Sequence, residues 1–142
     1  MRTVSQILER KGTRVVSVPR AAPVLEAIRV MAEHHLGAVL VMEDDQLIGI
    51  ASERDYARKV ILQGRSSHDT PVAVIMTSPV VCVGPHDSIA ECMSIMTEKH
   101  IRHLPVIDGE RVIGVISIGD LVKETIEEQK QEISLLQQYI AG

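Results

Sequence analysis

Gly49-Ile50-Ala51-Ser52-Glu53-Arg54-Asp55 and Gly114-Val115-Ile116-Ser117-Ile118-Gly119-Asp120 are two versions of one heptapeptide. Each reads glycine, two apolar positions, serine, and an aspartate three residues after the serine. They lie 65 residues apart, and that register holds well beyond them: residues 15–61 align with residues 80–126 without a gap. Thirteen of the forty-seven aligned positions are identical, among them Val15/Val80, Glu26/Glu91, Met31/Met96, His35/His100 and Val41/Val106. Ahead of this block, Ile7-Leu8 matches Ile75-Met76 if the first copy carries three extra residues. The chain is a tandem of one unit, and a repeat of this length organises everything else.

Both copies predict the order strand, helix, strand, strand, helix. In the first, Val15-Val16-Ser17-Val18 is β-branched and stopped by Pro19. Residues 24–35 then place Val24, Leu25, Ile28, Met31 and Ala32 on one helical face, with Pro23 suited to the first turn. Ser88 and Glu91 make the capping-box pattern that starts the second copy's helix. The strands Ala38–Met42 and Leu47–Ser52 flank the acidic turn Glu43-Asp44-Asp45-Gln46, whose counterpart is Asp108-Gly109-Glu110-Arg111. A second helix is predicted over 53–62. The domain reading is repeat 1 over 1–64, a polar linker over 65–71, repeat 2 over 72–126 and a C-terminal helical extension over 127–142. A unit of about 50 residues buries its own sheet face poorly. The expected fold class is therefore α/β (α+β), with two pseudo-symmetric β-α-β-β-α repeats packed sheet to sheet, plus the C-terminal helix.

Composition narrows the function. The 142 residues include no Trp and no Phe, and only Tyr56 and Tyr139 are aromatic. The core must therefore be aliphatic, and no stacking platform for single-stranded nucleic acid can be built. A formal charge of −4 argues against a nucleic-acid partner held by bulk electrostatics. No run of 18 apolar residues occurs, so no membrane span is expected, and the first ten residues lack a signal-peptide core. Cys82 and Cys92 lie in apolar-patterned segments and read as buried, reduced thiols, which points to the cytoplasm.

Ser-x-x-Asp before a helix is first a capping pattern, in which hydroxyl and carboxylate satisfy free backbone N–H groups. The same geometry suits a phosphate, because a helix start offers spare donors and a partial positive charge. A neighbouring Asp can accept hydrogen bonds from both hydroxyls of a ribose.

Taken with the Val-rich strand, the Glu-bearing helix and Arg102-His103-Leu104-Pro105-Val106, the signature resembles the CBS domain, and the pair resembles a Bateman module, over residues 4–126. The first copy departs from the pattern at Leu40, where the second has Pro105. The resemblance implies clefts for adenosine-containing ligands: AMP, ADP or ATP, with NAD(H) and S-adenosylmethionine as rivals. One implied cleft combines Val115, Ser117 and Asp120 with Thr13, Val16, Leu36, Gly37 and Ala38. The other combines Ile50, Ser52 and Asp55 with Thr77, Val81, Ile101, Arg102 and His103. Arg54 is a weaker phosphate candidate. On this grouping the second cleft is the more basic and the better suited to phosphate. With no ring for stacking, aliphatic walls and backbone hydrogen bonds must hold an adenine.

Other chemistries fail on spacing. No Gly-x-Gly occurs, and Gly109–Gly114 lacks the Lys-Ser/Thr that completes a P-loop. His34 and His35 diverge on a helix, while His100 and His103 straddle its end, so no metal site is expected. No nucleophile pairs with a base, and catalysis is not expected. After the repeats, Val122, Ile126, Gln129, Ile133, Leu136 and Ile140 alternate at spacings of four and three, a heptad seam widened by Leu135 and Tyr139. That helix either packs on its own domain or pairs with a second chain in a homodimer. No effector domain adjoins the repeats in this sequence, so the output is expected to act in trans on an unknown protein effector. The alternative is a ligand-free structural module acting through its dimer interface and C-terminal helix.

Overall fold

Turn chemistry sets two tight hairpins. In the computed structural model, which describes residues 2–141, β2 (Ala38–Glu43) and β3 (Gln46–Ser52) run antiparallel with Glu43 opposite Gln46. Asp44 and Asp45 alone form the turn, at φ 49° and 64°. Both are in the left-handed region that a primed two-residue turn requires and that Asp tolerates. β4 (His103–Asp108) and β5 (Arg111–Ser117) repeat the hairpin, with Gly109 at φ 66°. Each strand of the first hairpin gains a residue over the sequence reading, because the turn needs only two.

The opening strand is shorter than predicted. Only Ser17–Val18 (β1) pairs with β2, in parallel. Leu40 N–H then donates to Val16 O at 3.2 Å. In the second copy this strand shrinks to one bridge, Val83 to Val106. The position of Leu40 is there occupied by Pro105, which has no N–H to extend the ladder.

The helices α2 (Val24–His34) and α5 (Ile89–Lys99) bury Val24, Ala27 and Met31, and Ile89, Cys92 and Met96. Both end on a left-handed histidine, His35 at φ 56° and His100 at φ 55°. The repeated His35/His100 pair is therefore a helix stop. Pro23 is the N-cap of α2 rather than part of its first turn. Ser88 Oγ caps α5 by accepting from Glu91 N at 3.0 Å. After β3, α3 (Glu53–Tyr56) passes directly into a turn of π-helix over Ala57–Ile61. After β5, the counterpart is one continuous α-helix, α6 (Ile118–Ala141), which absorbs the predicted extension.

Two short helices, α1 (Val4–Lys11) and α4 (Val72–Ile75), carry the Ile7-Leu8 and Ile75-Met76 matches. They are exchanged between the copies. One compact unit spans Val15–Val81, while the other joins the N-terminal stretch through Arg14 to the chain from Cys82 onward. In the Val15–Val81 unit, Val72 N donates to Ala22 O and Val24 N to Thr70 O, both at 2.8 Å. In the other, Val4 N donates to Asp87 O at 3.0 Å and Ile89 N to Arg2 O at 3.1 Å. The residues of the expected linker thus supply acceptors for the orphan N–H groups at the start of α2.

The exchange also explains the signature glycines. A Cβ on Gly114 would lie 2.7 Å from Leu8 Cδ2, and one on Gly49 would fall on Met76 Sδ. Each glycine leaves room for the short helix or its end. The core of the Val15–Val81 unit is aliphatic throughout apart from Met31, with Val18, Val24, Val39, Val41, Val60 and Ile75 all buried.

Candidate functional site

Each signature folds into the same joint, where a strand ends at serine and a helix begins. Ser52 is extended, φ −121° and ψ 166°, and N-caps α3. Its Oγ accepts from Asp55 N at 3.1 Å, while Asp55 Oδ2 accepts from Ser52 N at 2.9 Å. This is a complete capping box. Ala38 lies opposite Ser52 in the sheet, and Glu53 N donates to Gly37 O at 3.0 Å. Thr77 pairs its backbone with Ile50 in both directions, at 2.8 and 3.1 Å. Lys59 Nζ stands 3.2 Å from Asp55 Oδ1 and donates to Ile75 O at 2.9 Å.

The second joint is built alike but charged differently. Ser117 N donates to Asp120 Oδ2 at 2.8 Å, and Asp120 N to Ser117 Oγ at 3.2 Å. His103 lies opposite Ser117, and Ile118 N donates to Arg102 O at 2.8 Å. From the last turn of α1, Lys11 Nζ reaches Asp120 Oδ2 at 2.6 Å and donates to Val115 O at 2.8 Å. Burial by itself would raise the Asp120 carboxyl. The Lys11 ammonium and the Ser117 N–H outweigh it and hold the group below its ordinary 3.8. Burial, then the Lys11 charge, push the His103 imidazole below 6.5; Asp120 opposes them and Arg102 adds to them.

Within its own unit, each serine has its counterpart set of backbone neighbours. Gly37 and Ala38 adjoin Ser52, and Arg102 and His103 adjoin Ser117. Lys11, Arg102 and His103 stand at the Asp120 joint, and Lys59 stands at the Asp55 joint. Leu36 and Ile101 follow the left-handed histidines and are half-buried, as are Val16, Val81 and Arg54, while Thr13 is exposed. Tyr56 packs against the Val15–Val81 core.

Lys11 and Lys59 are the site residues that sequence reasoning missed. Lys59 follows Asp55 by four residues and could have been found by helical spacing. Lys11 is 109 residues from Asp120, and no local pattern reveals it.

Other chemistry stays out of these joints. Cys82 is half-buried and Cys92 buried, and neither forms a disulfide. Burial, with Asp87 and Glu91 nearby, raises the Cys92 thiol to about 11, which leaves it unreactive at neutral pH. Among the described residues, no three His, Cys, Asp or Glu side chains gather as metal ligands. No described helix is long and apolar enough to cross a membrane. A groove of about 560 Å³ between α5 and α6, lined by Ile89, Ala90, Met93 and Thr97 with Arg2 and Glu128, contains none of the predicted site residues.

With this geometry in place, the comparisons are specific. The CBS-domain family matches twice, over residues 4–61 and 72–127. The mitochondrial CBS domain-containing protein CBSX3 of Arabidopsis thaliana is 38% identical over 149 residues, covering 99% of this chain and 72% of the relative. A solved protein with CBS domains from Burkholderia ambifaria MC40-6 is 51% identical with a TM-score of 0.87, covering 90% of this chain and 96% of that one. The CBS domain pair of protein MJ0100, solved in complex with 5′-methylthioadenosine and S-adenosyl-L-methionine, shares the fold at a TM-score of 0.80 and 20% identity, over 90% of this chain and 98% of that one. Two matched repeats, each carrying the same capped joint, make this chain a tandem member of the CBS-domain family.

Proposed function

We propose that the chain is a regulatory module that binds an adenosine-containing ligand at its Ser-x-x-Asp joints and passes the bound state to a partner in trans. The observation that carries this reading is the duplicated joint itself. In each, a carboxylate sits beside a helix start and a strand edge, the donor and acceptor set that a nucleoside monophosphate requires. Asp55 and Asp120 would take the ribose hydroxyls. The helix starts after Ser52 and Ser117 would take phosphate, and Ile50, Thr77 and Val115 would supply apolar contact to the base. We group Leu36, Gly37 and Ala38 with Ser52, and Ile101, Arg102 and His103 with Ser117, a grouping supported by the backbone contacts of Gly37, Ala38, Arg102 and His103. Val16 and Val81 fall in the Val15–Val81 unit and Thr13 in the other. AMP, ADP and ATP fit best, with NAD(H) and S-adenosylmethionine as further adenosyl compounds. The MJ0100 complex supports the reading at the level of the fold. Regulation follows if ligand has different affinity for two arrangements of the protein. The role proposed is regulatory rather than catalytic.

Thermal melts test this. A ligand present at 100 times its Kd stabilises by about 2.7 kcal/mol, roughly 5–10 °C for a chain of this size. AMP, ATP, NAD or S-adenosylmethionine should raise Tm, and Asp55→Ala with Asp120→Ala should abolish the rise. The readout is the ligand-induced shift, because losing a cap lowers the starting Tm by itself. No shift with any of these compounds at millimolar concentration sinks the reading.

One observation favours a second function, self-assembly into a homodimer. The outer half of α6 exposes Ile133, Leu136, Tyr139 and Ile140, from 55% to 86% accessible.

A further inference from the structure

The two joints are chemically unequal, and the difference lies in how each carboxylate is neutralised. Lys59 reaches Asp55 from its own helical segment, and its second partner is Ile75 O, outside the signature. Lys11 instead comes from the exchanged helix α1. It bridges Asp120 Oδ2 at 2.6 Å and Val115 O at 2.8 Å, so its ammonium spans the carboxylate and the strand edge of the signature itself. Those are the two acceptors that an adenosine would use there. A ligand arriving at Asp120 must supply replacement donors and leaves Lys11 without its anion. Ribose hydroxyls can satisfy Asp120, but a neutral nucleoside offers nothing to the released ammonium. A phosphate does, and the Lys11 side chain, 36% exposed, has a long free stem with which to follow it. Arg102 and His103 flank the same joint.

We propose that Lys11 is a specificity-determining residue that restricts the Ser117–Asp120 joint to phosphorylated adenosine ligands, by exchanging its Asp120 partner for the ligand's phosphate. Neutral nucleosides are disfavoured at this joint, because they would displace the ammonium from its carboxylate without supplying a new counter-charge. The inference rests on the adenosine reading above and assigns the ligand class of one joint within it.

Calorimetric titration of the full chain with AMP and with adenosine separates the two ideas. Asp55→Ala serves as the background that silences the other joint. There, AMP should bind at least tenfold tighter than adenosine. Lys11→Met should reduce that ratio by about tenfold or more, chiefly through weaker AMP binding, and Lys11→Arg should restore most of it. In an Asp120→Ala background, Lys59→Met should leave the ratio at the remaining joint within about twofold. Lys11 is exposed on the last turn of its helix, so the folded state of its variants is confirmed by unchanged far-ultraviolet circular dichroism. An unchanged ratio in Lys11→Met overturns the inference while leaving adenosine binding intact. Failure of the wild-type chain to bind either compound at millimolar concentration overturns the adenosine reading and this inference together.

Discussion

His103 sits between charges of both signs, and its titration reports on all of them. Burial comes first, then Lys11 and Arg102 push its imidazole below the ordinary 6.5, against the pull of Asp120. The unfolded chain then binds more protons than the native one in the window just below pH 6.5. Stability from His103 is fully present above that pH and declines as pH falls toward the lowered value. Asp120 behaves as a depressed carboxylate: its contribution is full above 3.8 and disappears only as pH falls through its still lower native value. A nuclear magnetic resonance titration should therefore place the His103 midpoint below 6.5, and Lys11→Met should move it upward by removing a neighbouring positive charge. A midpoint at or above 6.5 in the wild-type chain would contradict this environment. Ser52, Asp55, Ser117 and Asp120 were legible from spacing because their partners lie three residues away, within one turn of helix. Lys11 was not, because what sets its partner is the exchange of α1, a tertiary event.

Elements were legible where local chemistry decides them. The hairpins follow from turn residues, and α2 and α5 from apolar periodicity. The opening strand of the second copy was overestimated because Pro105 on its neighbour removes a donor, an effect invisible within the strand's own residues. α1 and α4 left only the faint mark of Ile7-Leu8 and Ile75-Met76. The continuous helix α6 presents the sharpest open question at this scale. Its inner part is anchored: Glu124 is buried and held by Arg2 at 2.6 Å and Arg10 at 3.3 Å. Every residue from Gln129 to Ala141 is exposed, including Ile133, Leu135, Leu136, Tyr139 and Ile140. Apolar side chains spaced as a heptad seam favour a second copy as their cover. Deleting residues 130–142 should lower the mass measured by light scattering while shifting Tm by no more than a few degrees. An unchanged mass would show that α6 does not join the copies.

On the scale of the whole molecule, the repeat boundaries and the compact units do not coincide. The family match follows the repeats, 4–61 and 72–127. The packing follows Val15–Val81 and the remainder of the chain. A fragment comprising residues 15–81 should therefore melt more cooperatively than one comprising residues 1–64, because only the former retains α4 against Gly49 and the acceptors Thr70 and Ser67 for α2. Equal melts, followed by circular dichroism, would mean that the exchanged helices contribute little. The exchange also sets an order of events during synthesis. α1 leaves the ribosome well ahead of β5 and α6, against which it packs. At about 5–20 residues per second the delay is on the order of 5–20 s. Throughout that interval the Val15–Val81 unit can close, while Val4, Ile7 and Leu8 wait for their groove. For a nascent chain this is an exposed apolar helix awaiting its partner elements, and a ready ligand for a holding chaperone.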